Sequence, residues 1–289
     1  MPVSPSSSAQ IAREGVARQL RELRQDAGLT LVQLATACGW SHSKASRIEN
    51  AKTPPAAVDI VAWCRACAAD GRAPDLVALS RDAETLYQEW RKRARGGLRQ
   101  IQTSYQRLFE ATRLFRVYSP TLVPGLLQTE GYTRALLSSN ARLLGVPDDS
   151  AAAAAARADR SQIIHRAGRR AVFVIEESVL RHQLGTADDM AAQLGHLLTA
   201  GALPAVSLGI IPMGKPRTLW PQEVFHLYDD TLASVELLSA EVTITQPSEV
   251  ALYEAAFEEL RSMSVYGAEA RALVVAAIDA LPTQEPGAA

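Results

Sequence analysis

Residues 28–52 read Gly-Leu-Thr-Leu-Val-Gln-Leu-Ala-Thr-Ala-Cys-Gly-Trp-Ser-His-Ser-Lys-Ala-Ser-Arg-Ile-Glu-Asn-Ala-Lys. Gly28 closes a preceding stripe, Val16, Leu20 and Leu23, that repeats at helical spacing. A left-handed closing residue costs least when it is glycine. Thr30 caps the next helix, and Gln33, three residues on, completes a capping box. Leu31, Leu34 and Ala35 face inward, with Cys38 one turn further. Gly39 makes a tight turn, and the small Ala35 lets two helices approach closely. Ser41 caps a third helix whose inward residues are Ala45 and Ile48. His42, Ser43, Lys44, Ser46 and Arg47 are left facing out, donors and acceptors on a helix end able to enter a DNA major groove. The expected helices are 11–27, 30–38 and 41–50.

Working outward, Thr53-Pro54-Pro55 breaks the chain. A fourth helix over Val58–Ala69 offers Ile60, Val61, Trp63, Cys64 and Cys67 to close a small core. Gly71 to Asp75 reads as a hinge. Leu76 to Phe115 is helical in pattern and arginine-rich. Arg91, Lys92, Arg93 and Arg95 stand just before Gly96-Gly97, which separates two helices. The cluster is either a basic connector near a DNA backbone or, the preferred reading, a solvated helix face. Ile101, Tyr105, Leu108, Phe109 and Thr112 form a stripe suited to a core or dimer face.

Beyond Leu114 the texture changes. Phe115–Tyr118 reads as a short strand, and the Ala151–Ala156 run opens a helix reaching His165. Ala171–Ile175 and Ala205–Ile211 are continuous apolar runs of strand length, the signature of burial on both faces. The helix Asp188–Ala200 between them makes a parallel crossover. Glu223–Tyr228, Ser234–Leu238 and Glu241–Thr245 alternate as an antiparallel meander. Two helices, Ser248–Met263 and Ala268–Leu281, finish the fold. The expected class is mainly α with a smaller α+β or α/β part. An all-α helix-turn-helix head and a helical connector precede a C-terminal mixed α/β domain with a small mixed sheet. The boundaries are a disordered tail 1–10, a head 11–70, a connector 71–99, a sensor, dimerisation or partner-binding domain 100–282, and a tail 283–289.

A net charge of −1 over 289 residues hides an asymmetry. Residues 1–119 hold 18 Lys+Arg against 11 Asp+Glu, and residues 120–289 hold 12 against 20. A basic front on an acidic back suits a DNA-binding head on a body that does not bind DNA. No run of about 18 apolar residues is present, so no membrane span is expected. The polar start lacks the apolar centre of a signal peptide. Three cysteines, an odd number, argue against a disulfide framework and for the cytoplasm.

The run Gly39–Lys52, ending Ser-Arg-Ile-Glu-Asn-Ala-Lys, resembles the turn and recognition helix of Xre-type, lambda-repressor-like regulators, over about residues 11–70. Leu31 departs from that pattern, standing where many members carry a polar, phosphate-touching residue. The back half, about 100–280, carries Tyr118-Ser-Pro-Thr-Leu-Val-Pro-Gly-Leu-Leu-Gln-Thr-Glu-Gly-Tyr-Thr-Arg-Ala135. Val174-Ile-Glu-Glu-Ser-Val-Leu-Arg181 and Tyr253-Glu-Ala-Ala-Phe-Glu-Glu-Leu260 follow. These words resemble the large C-terminal domain of WhiJ-like, antitoxin-like actinobacterial regulators. That likeness implies a regulator that often works with a small, separately encoded partner protein.

Enzyme patterns are absent from the sequence: no Gly-x-Ser-x-Gly elbow, no Gly-rich phosphate loop. Cys38, His42, Cys64 and Cys67 have zinc-like spacing. Yet Cys38 is expected to point inward and His42 outward, so buried free thiols are the preferred reading and a redox role the alternative. His165, His182, His196 and His226 are scattered. No cofactor or catalytic residue is assigned. The loops Tyr118–Gly125 and Met213–Pro221 are the expected sensing face; in the latter Lys215, Arg217 and Trp220 suit an anionic ligand or a partner peptide, although a plain surface loop with one packed tryptophan is the preferred reading.

The expected function is therefore a DNA-binding transcriptional regulator, a homodimer on a pseudo-palindromic double-stranded operator. His42, Ser43, Lys44 and Arg47 are expected at base edges, with Ser46 on the same DNA-binding face. Thr30, Gln33, Asn50 and Lys52 are expected at phosphates, with Gln33 and Asn50 alternatively serving as cap and turn residues. A small-molecule ligand or a small partner protein is the expected signal. The second reading is an antitoxin-like interaction protein for which DNA binding is autoregulation.

Overall fold

The computed structural model describes residues 5–82 and 87–282. The chain divides into two compact units, Met1–Tyr87 with Thr243–Ala251, and Gln88–Val242 with Leu252–Ala289.

The first unit begins with five helices: α1 (Pro5–Asp26), α2 (Leu31–Ala37), α3 (His42–Glu49), α4 (Ala57–Ala66) and α5 (Ala73–Asp82). Val16, Leu20, Leu34, Ala45, Ile48, Ile60, Trp63 and Cys64 form its core, joined by Ala73 and Leu76. Trp63 is wholly buried, and its indole Nε1 donates to the Leu20 carbonyl at 2.9 Å, so the largest core side chain leaves no polar group unsatisfied.

Two boundaries differ from the sequence reading. The first helix starts at Pro5, inside the stretch expected to be a tail; residues 1–4 of that tail lie outside the described residues. Proline suits a first turn, where its missing N–H has no helical partner to lose. The hinge expected at Gly71–Asp75 is instead a single turn, Asp70–Arg72, running into α5. Ala73 and Leu76 are buried in the head core, so α5 belongs to the head and Pro74 merely occupies its first turn.

From β1 (Tyr87–Glu89) the order continues with α6 (Trp90–Arg93), α7 (Leu98–Ser104), α8 (Gln106–Ala111), β2 (Leu114–Ser119), α9 (Glu130–Leu144) and α10 (Ser150–Ser161). Then come β3 (Arg170–Glu176), α11 (Ala187–Ala200), β4 (Val206–Ile211), β5 (Phe225–Tyr228), β6 (Leu232–Glu236), β7 (Ala240–Ile244), α12 (Pro247–Ser262) and α13 (Gly267–Asp279). The helical pattern expected through Leu76–Phe115, with a break at Gly96-Gly97, is interrupted also by β1; residues 83–86 lie outside the described residues. Gly97 separates the helices on either side with φ +93°. The Asp149 carboxylate, from the loop before α10, accepts from the Leu98 and Arg99 amides at 2.9 and 3.1 Å. It thus caps α7 from 50 residues away.

The sheet has seven strands in the order β1-β7-β6-β5-β2-β3-β4. β2, β3 and β4 are parallel, while β2 with β5 and β5 with β6 are antiparallel. The molecule is thus mainly α with a smaller mixed α/β part. Phe115, Ala171 and Val206 stand in register, as do Val117, Phe173 and Leu208. Their face packs into one core with Leu127, Tyr132, Met190, Leu194, Leu197 and Val274. On the opposite face Phe225 meets Tyr253 and Phe257 of α12, ring centroids 5.1 and 6.4 Å apart. Strands covered on both sides explain the unbroken apolar runs.

Gly209 of β4 is required by close approach. A Cβ there would lie 2.8 Å from the Tyr266 ring. Gly209→Ala is expected to destabilise the protein by about 1–3 kcal/mol, measured by urea unfolding. Adding Tyr266→Ala removes the clash, so the double variant should be no less stable than Tyr266→Ala alone.

Candidate nucleic-acid interface

The turn between α2 and α3 is built by local chemistry. Thr30 Oγ1 accepts from the Gln33 amide at 3.3 Å, and Gln33 Oε1 accepts from the Thr30 amide and hydroxyl at 2.8 Å each. Ser41 Oγ accepts from the Lys44 amide at 3.2 Å. Gly28 and Gly39 sit at φ +67° and +68°. A Cβ at either would meet nothing within 4 Å, so backbone angle and not space makes them glycine.

The end of α3 is clamped by ions. Glu49 is 8% exposed and takes two hydrogen bonds from Arg24, at 2.7 and 2.9 Å. Arg21 Nε lies 3.3 Å from the same carboxylate, and an Arg21 N–H donates to the Glu49 carbonyl at 2.9 Å. The hydrogen bond that Arg24 donates to Glu49 holds its guanidinium above the usual pKa. Arg24 also donates to the Leu29 carbonyl at 2.6 Å. One guanidinium therefore ties α1 to the entry of α2 and the exit of α3. Beyond Asn50, Ala51 adopts φ +54°. Its amide returns to the Ile48 carbonyl at 3.0 Å, and the Lys52 amide returns to Arg47 at 2.9 Å, a Schellman-type stop.

The site residues expected from sequence separate into two groups. His42, Ser43, Arg47 and Lys52 are exposed, and their side chains make no hydrogen bond or ion pair with the described residues. Thr30 and Gln33 are exposed but engaged in their capping box. Asn50 donates to the Ser46 carbonyl at 2.8 Å and accepts from Arg21 at 3.3 Å. Ser46 is half-buried beside it. Lys44 departs most from expectation. Its ammonium lies 2.6 Å from Asp59 Oδ1 and 4.3 Å from the centroid of the Trp40 ring, turned toward α4 instead of outward. Asp59, which also accepts from the Ala56 amide at 3.2 Å, gave no sign in the sequence that it faces Lys44. Arg21 and Arg24 were likewise missed; their only sequence signal is a pair of cations at i,i+3 on the first helix.

The cysteines are free thiols. Cys64 and Cys67 are buried, Cys38 half-buried, and Cys38 Sγ lies 3.6 Å from the Ala62 carbonyl. Burial raises all three pKa values, that of Cys67 to about 11. Among the described residues no group of three or more His, Cys, Asp or Glu is placed to hold a metal. No helix among them is long and apolar enough to cross a membrane.

The two loops expected to form a sensing face converge on Glu176. Tyr118 donates to its carboxylate at 2.8 Å, and Arg217 takes it bidentately at 2.8 Å on each oxygen. Burial, then the bond to Glu176, pushes the Tyr118 hydroxyl far up. Trp220 nearby is 69% exposed.

The capped turn, the clamped third helix and its uncommitted outward face define a helix-turn-helix DNA-binding protein. The family model described as "Helix-turn-helix domain" matches residues 16–76. The chain as a whole belongs to the family described as "Domain of unknown function (DUF5753)", whose model matches residues 105–275, more than half of its length. No curated protein matches it. Among solved structures, an archaeal chromatin protein, TrmBL2, described as showing a novel mode of DNA binding, aligns at 11% identity and a TM-score of 0.33. That alignment covers 59% of this chain and 52% of the other, so the chain spans about half the length of that protein.

Glu49→Ala leaves Arg24 without its carboxylate. It is expected to destabilise the head by about 2–4 kcal/mol, measured by urea unfolding. Lys44→Ala removes an ion pair that is more than a third exposed and should cost about 1 kcal/mol or less.

Proposed function

We propose that this chain is a sequence-specific transcriptional regulator of the Xre type, homodimeric, acting on a pseudo-palindromic double-stranded operator. Its back half is of the WhiJ-like, antitoxin-like kind found in actinobacterial regulators. The observation that carries the reading is the outward face of α3. There His42, Ser43 and Arg47 are exposed and unbonded, while the same helix is anchored through Glu49. Free donors on a rigid helix suit direct readout, since little rotamer order is lost elsewhere on binding.

Arg47 takes guanine O6 and N7, with His42 and Ser43 beside it. Lys52 and the amides near the Thr30 cap hold phosphates and fix the register. Lys44 reaches a base only by giving up Asp59, so it contributes less than its position implies. The head comprises α1 to α5, and the remainder dimerises and receives a small-molecule or protein signal.

A second reading is favoured by one observation. The loop carrying Lys215 and Arg217 also presents Met213 and Trp220, 58% and 69% exposed. With Arg217 held by Glu176, an exposed indole on the same loop as the exposed Lys215 suits a small partner protein, as an antitoxin-like protein with autoregulatory DNA binding requires.

Genome-wide DNA pull-down with the full-length protein, followed by affinity measurements at two salt concentrations, tests the first reading. A shared pseudo-palindrome bound specifically at the higher salt supports it; uniformly weak, sequence-blind binding refutes it. Arg47→Ala is expected to cost about 1–3 kcal/mol on the operator and to relax specificity at one position. Unchanged operator affinity would overturn the assignment of the reading helix. Lys52→Ala should weaken all sequences alike and reduce the salt slope by about one.

A further inference from the structure

The second unit contains a cavity of about 290 Å³. Its walls are the turn Gly125–Leu127 with the start of α9, the segment from the end of α10 to His165, and α11. The volume is near the lower limit of small-molecule sites, about 300–1,000 Å³. Leu126, Ile164 and Leu203 give it a hydrocarbon side.

Its polar side is more informative. Gln128, on the wall, is engaged by the protein: it donates to the Val123 carbonyl at 2.7 Å and accepts from Thr133 at 3.1 Å and from Arg157. His165 and His196 both line the cavity, and neither ring makes a hydrogen bond with the described residues. Two imidazoles, 31 positions apart in the chain by their numbers, thus meet at one opening with their N–H donors unused. Burial, and then the proximity of His165, lowers the pKa of His196.

Behind Gln128 stand two guanidiniums. Arg157 donates to Gln102 Oε1 at 3.0 Å as well as to Gln128. Arg160 donates to the Gln102 carbonyl and side chain at 2.5 and 3.1 Å, and its buried Nε has no partner. Neither arginine has an ion-pair partner among the described residues, and loss of hydration lowers both pKa values, that of Arg160 to about 10. The two lie behind the wall and not on it; the Glu236 charge acts on both from beyond hydrogen-bond distance, and poorly hydrated cations with no ion-pair partner still favour an anion on their open side. The cavity also opens at the capped N-terminus of α9, where Thr129 stands, which adds positive potential. Glu130, exposed at α9's first position, is the only acidic side chain on the wall. Its charge opposes any anion, and a polyanion more than a single carboxylate.

We propose that this cavity binds a small organic monocarboxylate, with its hydrocarbon body against Leu126, Ile164 and Leu203 and its carboxylate between the rings of His165 and His196. As the identity of a regulatory signal the proposal rests on the regulator reading above; as a binding site it does not.

The test uses full-length protein with isotope-labelled histidine, titrated with benzoate and with 4-methylpentanoate while the ring resonances are followed. Benzamide serves as the neutral counterpart. Saturable shifts of the His165 and His196 signals are expected with at least one carboxylate at millimolar Kd or below, with benzamide at least tenfold weaker. His165→Gln and His196→Gln should each weaken binding about tenfold at unchanged thermal stability. Ala158→Leu, which fills the cavity, should abolish binding; a circular dichroism melt establishes that this variant is folded. No saturable shift with either carboxylate, or equal binding of benzamide, overturns the proposal. Operator affinity measured with and without carboxylate separates the two readings. Saturable binding that leaves DNA affinity unchanged upholds the pocket and refutes its role as the sensing site. Operator affinity that changes with carboxylate supports the sensing role, whereas no DNA binding in either condition refutes only the regulator reading.

Discussion

Folding has to withdraw the Glu49 carboxylate from water, and that costs several kcal/mol unless strong partners replace the lost hydration. The residue ends α3, where the helix dipole is already negative. Both problems are met by Arg24 and Arg21 from α1, the first bidentate at 2.7 and 2.9 Å. Because Arg24 also holds the Leu29 carbonyl, the orientation of α3 is coupled to the start of α2. A lysine in place of Arg24 would supply the charge without the planar fork and would leave one of these three bonds unmade. The presentation of His42 and Ser43 thus depends on an interaction at the opposite end of their helix, in whose last turn Arg47 also lies.

The same economy of charge governs the reading face itself. Trp40, Lys44 and Asp59 form a small closed group in which the ammonium sits over an indole and against a carboxylate. Asp59 holds the start of α4 through the Ala56 amide, so Lys44 braces the helix-turn-helix against α4. The α3 side chains left uncommitted are Arg47 and the two shorter ones, His42 and Ser43, and in the proposed reading these meet DNA. One strong bidentate donor makes for sharp preference at one base pair and weaker preference at its neighbours.

Local physics was legible in the sequence. The Thr30–Gln33 box, the Ser41 cap and the glycine stops depend on residues within four positions of one another, and the structure places each where spacing predicts. The strands β3 and β4 and the helix between them were legible because unbroken apolar runs have few other uses. Distant partnerships were not. Nothing near Gly97 announces that Asp149 caps α7. Nothing near Lys44 marks Asp59 as its partner. Gly71 and Pro74 resemble a hinge until Ala73 and Leu76 are seen to complete the head core. The four histidines looked scattered because only the packing of α10 against its neighbours brings two of them to one opening.

The arginines of the second unit show how that opening differs from its surroundings. Arg93 meets Glu241, Arg116 meets Glu254 and Arg217 meets Glu176. Each cation withdrawn from water at those places has a carboxylate beside it, the arrangement that stability alone would select. Arg157 and Arg160 have instead the Gln102 and Gln128 amides, and Arg160 lies 5.3 and 4.8 Å from the ring centroids of Tyr105 and Phe109. Amide oxygens and aromatic faces disperse a positive charge without cancelling it. The field they leave acts on whatever occupies the neighbouring cavity. A ligand that binds only the folded state adds its binding free energy to that of folding, so an anion seated there would recover stability that these unpaired guanidiniums forgo. Three arginines are held in ion pairs and two by amides, with the Glu236 charge acting on them only from farther off; that contrast marks the region behind Gln128 as the place in this unit where positive charge is least fully answered.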